Sequence, residues 1–379
     1  MTQPLLQAAD LRGAARLSSD AVEGLATLVE AMQVPRSGAA RPSDLAAAAA
    51  HEPLRPEREA VIAALNGVLG DHLAATGNAL AITMAFRRAG RPLQVERAAL
   101  RSRLAGATPR LLVLLHDLCL NDLQWRRADH DHGAALAREA GYTPVYLHYN
   151  SGLSVSTNGR ILAPLMERLY DAWPMPIERL AMLGHGMGGL VARSAIHHGM
   201  FIQRGGLRWP TRVNDLVCLG TPHHGAALDG SAKGLSLLLG ATPQPPGHPG
   251  HPGHPDHPAH PVLARLGRLR SAGIEDLRLG NVVSAPGGDD GTQRGATVGL
   301  PDRTRCFAIA ARLGQPAGGA RARLASDGLV PVASALGRHR EPGRDLGFAA
   351  EHQAVVPDTG HLDLLASASV SRLLQQWLG

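Results

Sequence analysis

The sequence predicts an α/β fold: a mostly parallel central sheet with helices on both faces, a long insertion and a helical extension at the N-terminus. The main observation is a change of texture after residue 109. From there short apolar runs, RLLVLLH (110–116), PVYLHY (144–149), RLAMLG (179–184), DLVCLG (215–220), RCFAIAA (305–311) and EHQAVV (351–356), alternate with helical patterns. Such alternation marks βαβ units around a sheet buried on both faces. Ahead of it, ALAITMAF (79–86) and the turn RRAGRP read as an antiparallel hairpin opening the sheet. Further upstream, apolar positions repeat at helical spacing over 20–32, with Asp20 and Glu23 as a capping box, and again over 56–74. We therefore divide the chain into an N-terminal helical extension (1–78) and a main domain (79–379), the latter with an insertion at about 225–303.

Composition narrows the function. The 379 residues are 44% apolar but only 3% aromatic, so the core is built from Leu, Val, Ala and Ile. The net charge of +6 is spread along the chain: arginines occur in every segment, Lys233 is the only lysine, and no helix carries a basic stripe. That distribution argues against a nucleic-acid partner. Cys119, Cys218 and Cys306 are widely spaced and odd in number, which fits neither a disulfide framework nor a CxxC metal site. The first residues lack a secretory apolar core, and nowhere do about 18 apolar residues run together. The expectation is a cytoplasmic protein without a transmembrane segment.

The segment 243–261 places His248, His251, His254, His257 and His260 at every third residue among Pro and Gly. In polyproline II three residues advance about 9 Å, too far for neighbouring imidazoles to grip one ion. It reads as an exposed, disordered loop. Neither a metal nor a cofactor is expected.

Chemistry concentrates at LAMLGHGMGGLVARSA (180–195), an apolar strand, a Gly-rich turn and a helix. This is the context of a G-x-S-x-G nucleophile elbow. The motif here is Gly184-His185-Gly186-Met187-Gly188, so the central residue, which should present a hydroxyl, has no side chain.

With serine at 186 the segment would read GHSMGGLVARSA, which resembles the elbow of bacterial lipases and esterases of the α/β-hydrolase superfamily. Four further segments resemble that family in the same order: HDLCLNDLQW (116–125), its oxyanion loop; LGTPHHGAAL (219–228), its strand end and lid entry; SDGLVPVASALG (326–337), its acid-bearing turn; and TGHLDLLAS (359–367), its histidine loop. The resemblance spans about 110–379 and is nearest to lipase-like proteins akin to glycosylphosphatidylinositol-inositol deacylases. It implies Asp327 and His361 as the acid and base of a triad whose nucleophile position is Gly186. It also implies oxyanion donors at the backbone N–H groups of Leu118 and Met187. Asp117 stands where the family has glycine. A carboxylate there opposes a developing oxyanion unless it points away or is protonated, so Asp117 is read as a modulator of the site.

Other residues are read as structural. Cys119 lies beside the oxyanion loop, where the family commonly has cysteine, and nothing nearby lowers its pKa. The pairs His197-His198 and His223-His224 lack the spacing of metal ligands. Asp363 is too near His361 in sequence to approach the ring from behind. Ser194 lies two helical turns from the elbow.

Without the hydroxyl no acyl-enzyme forms at position 186, and loss of such a serine costs about 10⁶ in kcat. Four readings remain open. The chain is a family member that lost its nucleophile and binds an acyl or lipid-like ester; an active serine ester hydrolase seen with a substituted nucleophile; an enzyme in which His361 directs water attack; or a non-enzymatic scaffold. The apolar run GLSLLLG (234–240), in the insertion, suits a lid over an acyl chain.

Overall fold

The computed structural model describes residues 56–201, 206–228, 271–284, 296–314 and 325–379. Helix α1 (Pro56–Ala75) comes first, then strands β1 (Ala85–Arg88) and β2 (Arg91–Pro92) and helix α2 (Arg97–Arg103). Next come β3 (Arg110–Leu115), α3 (His132–Ala140), β4 (Thr143–His148), α4 (Val155–Ala172), β5 (Arg179–His185) and α5 (Met187–Phe201). The chain continues through β6 (Val213–Leu219), α6 (Ala272–Leu279), β7 (Arg305–Ala311), α7 (Val332–Ala335), β8 (Gln353–Val356) and α8 (Ala368–Leu378). The helix expected over 20–32, the run at 234–240 and the His-Pro segment all lie outside the described residues.

The strands form one eight-stranded sheet in the order β2-β1-β4-β3-β5-β6-β7-β8. β1 pairs antiparallel with β2 and β4, and every pairing from β4 to β8 is parallel. From β3 the chain steps one way to β4 and then returns to β5 on the other side of β3. That reversal is a topological switch point, where the loops leaving β3 and β5 run on to opposite sides of the sheet.

Alternating side chains of the sheet feed two cores. On one face Leu111, Val113, Leu115, Val145, Leu147 and Met182 pack against α1, α4 and α5. On the other, Leu112, Leu114, Leu183, Val217, Leu219 and Ile309 meet Leu136 of α3 and Val370, Leu374 and Trp377 of α8. Full burial of each such side chain contributes on the order of 1.5–3 kcal/mol. Helix α1, placed in the extension by sequence, supplies Leu65, Val68, Leu69 and Leu73 to the first of these cores. Helices are closed by local polar caps: Asp131 accepts from Ala134 N–H at the start of α3, Ser154 from Thr157 N–H at α4, and Ser367 from Val370 N–H at α8.

The opening hairpin differs from expectation. Its first strand is Ala85–Arg88, and residues 79–84 form no strand. The cause is Asn66 of α1, whose side chain donates to Leu80 O at 2.8 Å and accepts from Ile82 N–H at 2.9 Å. Backbone groups that a ladder would have used are bonded to a helix side chain instead.

Helices α4 and α5 cross at Gly159, where an added Cβ would stand 2.2 Å from Ser194 Oγ. Gly159→Val should therefore lower stability by about 1–3 kcal/mol, because neither helix can withdraw from the sheet. Urea unfolding followed by circular dichroism measures this. The milder Gly159→Ala should be partly rescued by Ser194→Gly, a coupling that independent sites would not show.

Candidate active site

The elbow forms at the switch point. β5 ends at His185 and α5 begins at Met187, with Gly186 between them at φ +51°. The turn is pinned to the next strand by Gly186 N–H, which donates to Leu219 O at 2.9 Å. The left-handed backbone expected of a nucleophile elbow is thus present at Gly186.

Beside the elbow, the loop leaving β3 carries His116 and Asp117. The His116 ring stacks on Tyr149 with centroids 4.2 Å apart, its Nδ1–H donates to Asp117 O at 2.8 Å, and Tyr149 Oη–H donates to His116 O at 2.7 Å. Burial lowers the His116 pKa to about 3, so the ring is a neutral clamp on the loop. The clamp directs the Asp117 side chain inward. Its Oδ1 accepts from Met187 N–H at 2.5 Å, the first amide of α5, where a helix end favours an anion. Its Oδ2 accepts from His361 Nε2–H at 2.9 Å.

His361 stands after β8 and Asp327 after β7. His361 Nδ1–H donates to Asp327 Oδ2 at 2.6 Å, and His361 N–H donates to Asp327 O at 3.0 Å. Asp327 Oδ1 is fixed by Leu329 N–H at 2.9 Å and Val330 N–H at 2.7 Å. Asp117, Asp327 and His361 are all buried, the most exposed of them at 1%. Burial works against charge on His361, but the Asp327 charge and the bonds to Asp117 and Asp327 outweigh it and raise its pKa to about 10. Burial likewise opposes charge on Asp117, yet the bond and charge of His361, with smaller help from His185 and Met187 N–H, hold its carboxyl below the usual carboxylate range. The centre is therefore carboxylate, imidazolium, carboxylate.

Sequence reasoning allowed Asp117 to point away or to be protonated; here it points into the centre as an anion. A Cβ built on Gly186 would lie 2.1 Å from Asp117 Cγ and 2.2 Å from each of its oxygens. The carboxylate fills the volume of the absent side chain, bonds the histidine nitrogen that a serine hydroxyl would face, and takes the N–H expected to serve an oxyanion. Leu118, the other expected donor, is buried in the same loop.

The remaining residues fall out simply. Cys119 is buried at φ +63°, and burial together with the Asp117 charge pushes its thiol far above the ordinary range. Asp363 accepts from Gly360 N–H at 3.3 Å, and its carboxylate is mostly exposed, 3.9 Å from Arg127. His185, which the sequence did not single out, donates through Nε2–H to His361 O at 3.0 Å and stays neutral, its pKa lowered by burial to about 4. Its position next to Gly186 was the available signal. Asp117, His185 and His361 also bring potential metal-ligand atoms within 4.8 Å of one another, a cluster that sequence spacing could not reveal. An ion bound through His361 Nε2 would have to displace the proton shared with Asp117.

The profile of the PGAP1-like alpha/beta domain matches residues 151–244. No curated protein matches the chain. Among solved structures, the mature lipase BlEst2 of Bacillus licheniformis is 16% identical, with 78% of this chain and 98% of that one covered at a TM-score of 0.42. EstA of Clostridium botulinum is 11% identical, with 77% and 91% covered and a TM-score of 0.39. The esterase Pf2001 of Pyrococcus furiosus is 15% identical, with 72% and 84% covered and a TM-score of 0.39. The parallel sheet with its antiparallel start, the elbow between β5 and α5, and the acid and histidine after β7 and β8 define an α/β-hydrolase fold. The PGAP1-like match, over residues 151–244, falls on the part of the chain that carries this elbow.

The charge pattern has a pH consequence. The folded chain holds on His361, up to about pH 10, a proton that an unfolded histidine releases near 6.5. The resulting stabilisation is complete below the unfolded value and is lost as pH rises through the folded one. We expect unfolding free energy to fall between pH 6.5 and 10, and Asp117→Asn to flatten that fall by removing one of the two carboxylates. Urea titrations across this window, with NMR of the imidazole nitrogens, test it; a neutral His361 at pH 8 would overturn the assignment.

Proposed function

We propose that this chain is a lipase/esterase-type α/β-hydrolase that has lost serine catalysis and keeps the site for holding, rather than cleaving, an acyl or lipid-like ester. The observation that carries this is the Asp117 carboxylate standing in both the nucleophile's and the oxyanion's places. It weighs against an intact enzyme with a merely substituted serine, since a side chain at 186 meets Asp117. It also weighs against water attack, because the space beside Gly186 is filled and a protonated His361 has no lone pair to offer as a base. A cytoplasmic setting belongs to the same proposal and rests on three free, buried cysteines. No helix among the described residues is long and apolar enough to cross a membrane.

Assays with p-nitrophenyl esters of short and long chain test the reading. The unaltered protein and Gly186→Ser should both stay near background. Gly186→Ser combined with Asp117→Gly should gain on the order of 10³-fold or more, because the hydroxyl, the free Met187 N–H and an unblocked His361 return together. Strong activity of the unaltered protein that vanishes in His361→Ala would overturn the proposal, as would full recovery by Gly186→Ser alone. Saturable binding of an uncleaved long-chain ester, followed by calorimetry, tests the holding function directly.

A further inference from the structure

A second polar site lies beyond the hydrolase centre and is independent of how that centre is read. Arg193, seven residues after Gly186 on α5, buries its guanidinium to 3% exposure. Its hydrogen-bond partners are neutral: Nη1–H donates to His223 Nδ1 at 3.1 Å, and Nη2–H donates to Val298 O. Because guanidinium can only donate, His223 Nδ1 must be the acceptor, which fixes the ring proton on Nε2. Two buried donors are then without acceptors among the described residues, Arg193 Nε–H and His223 Nε2–H.

Both residues line a pocket together with His224, Asn281, Thr297 and a second, half-buried arginine, Arg344. Among the described residues, no Asp or Glu lines it. The nearby carboxylates Asp276 and Asp345, among the described residues, are engaged elsewhere. Asp276 accepts from Val155 N–H and Asn281 Nδ2, and Asp345, exposed, accepts from His339 N–H and Gly347 N–H. A buried guanidinium without a counter-charge is costly, and a satisfied one needs an anion with more than one acceptor. Two guanidinium groups and two imidazoles with no acid among them favour the more highly charged oxyanion.

We propose that the pocket formed by Arg193, His223 and Arg344 binds the phosphate group of a ligand. Calorimetry on the full chain, with inorganic phosphate as the probe, should give saturable binding with a Kd of about 1 mM or tighter. Arg344→Gln should weaken it about tenfold or more, and His223→Phe should weaken it while leaving the circular dichroism unchanged. Arg193→Gln should abolish binding; should that variant fail to fold, the rim variant Arg344→Gln still decides. Absence of saturable binding, or a Kd unchanged in both Arg344→Gln and His223→Phe, would overturn the proposal. Acetate binding as tightly as phosphate would overturn the choice of phosphate. A short-chain phosphatidic acid supplies the last arm: tighter binding than phosphate, lost in Arg344→Gln, assigns the site to a lipid headgroup, and equal binding assigns it to free phosphate.

Discussion

The site is organised around one buried imidazolium held between two carboxylates. His361 reaches Asp327 through Nδ1 and Asp117 through Nε2, and these groups come from the loops after β8, β7 and β3. The Asp117 carboxylate ends on the first amide of α5, so the strand β5 is drawn into the same network. Three ionised groups with one excess negative charge would be expensive to bury alone. The amide end of α5, two backbone N–H groups on Asp327 and short hydrogen bonds throughout offset that cost. The carboxyl ends of four parallel strands are thereby tied at one point.

Gly186 and Asp117 are two halves of one steric fact. Protein interiors leave little room for voids, and an elbow without a side chain would leave one beside a histidine needing a partner. Asp117 fills that space and supplies that partner, but only while residue 186 has no Cβ, since such an atom would stand 2.1 Å from its Cγ. A serine side chain at 186 would meet the Asp117 carboxylate and force it out of its buried bond to His361. Removing the carboxylate leaves His361 Nε2 without that partner. The two positions are sterically coupled across two loops.

The sequence made the sheet legible because parallel strands buried on both faces must be continuously apolar, and runs such as RLLVLL and RCFAIAA have no other use. The segment 79–84 was misread for the opposite reason: its apolar pattern fits a strand, but the groups that capture its backbone belong to Asn66, far along α1. Helix α1 itself shows apolar residues on many sides, with Ala60, Ala63, Leu65, Val68 and Leu69 all buried, a mark of a helix inside a core. At the site, Asp327 and His361 were readable from local motifs. The direction of Asp117 was not, because it depends on the stacking of His116 on Tyr149 and on where α5 begins. The pairing of Arg193 with His223 was invisible for the same reason, each residue being ordinary in its own segment.

Helix α5 links the two sites physically. Its first amide is bound to Asp117, while Arg193, two turns on, faces His223. The return path is the loop after β6: an atom added at Gly220 would lie 3.0 Å from the His361 ring, and His223 follows three residues later. Neither element can shift at one end without displacing a packed group at the other, since α5 is buried along most of its length. The turn between β5 and α5 therefore also fixes where Arg193 stands. Along this stretch α5 is held at its start by the Asp117 carboxylate on its first amide, and two turns on by the hydrogen bonds of Arg193 to His223 and Val298.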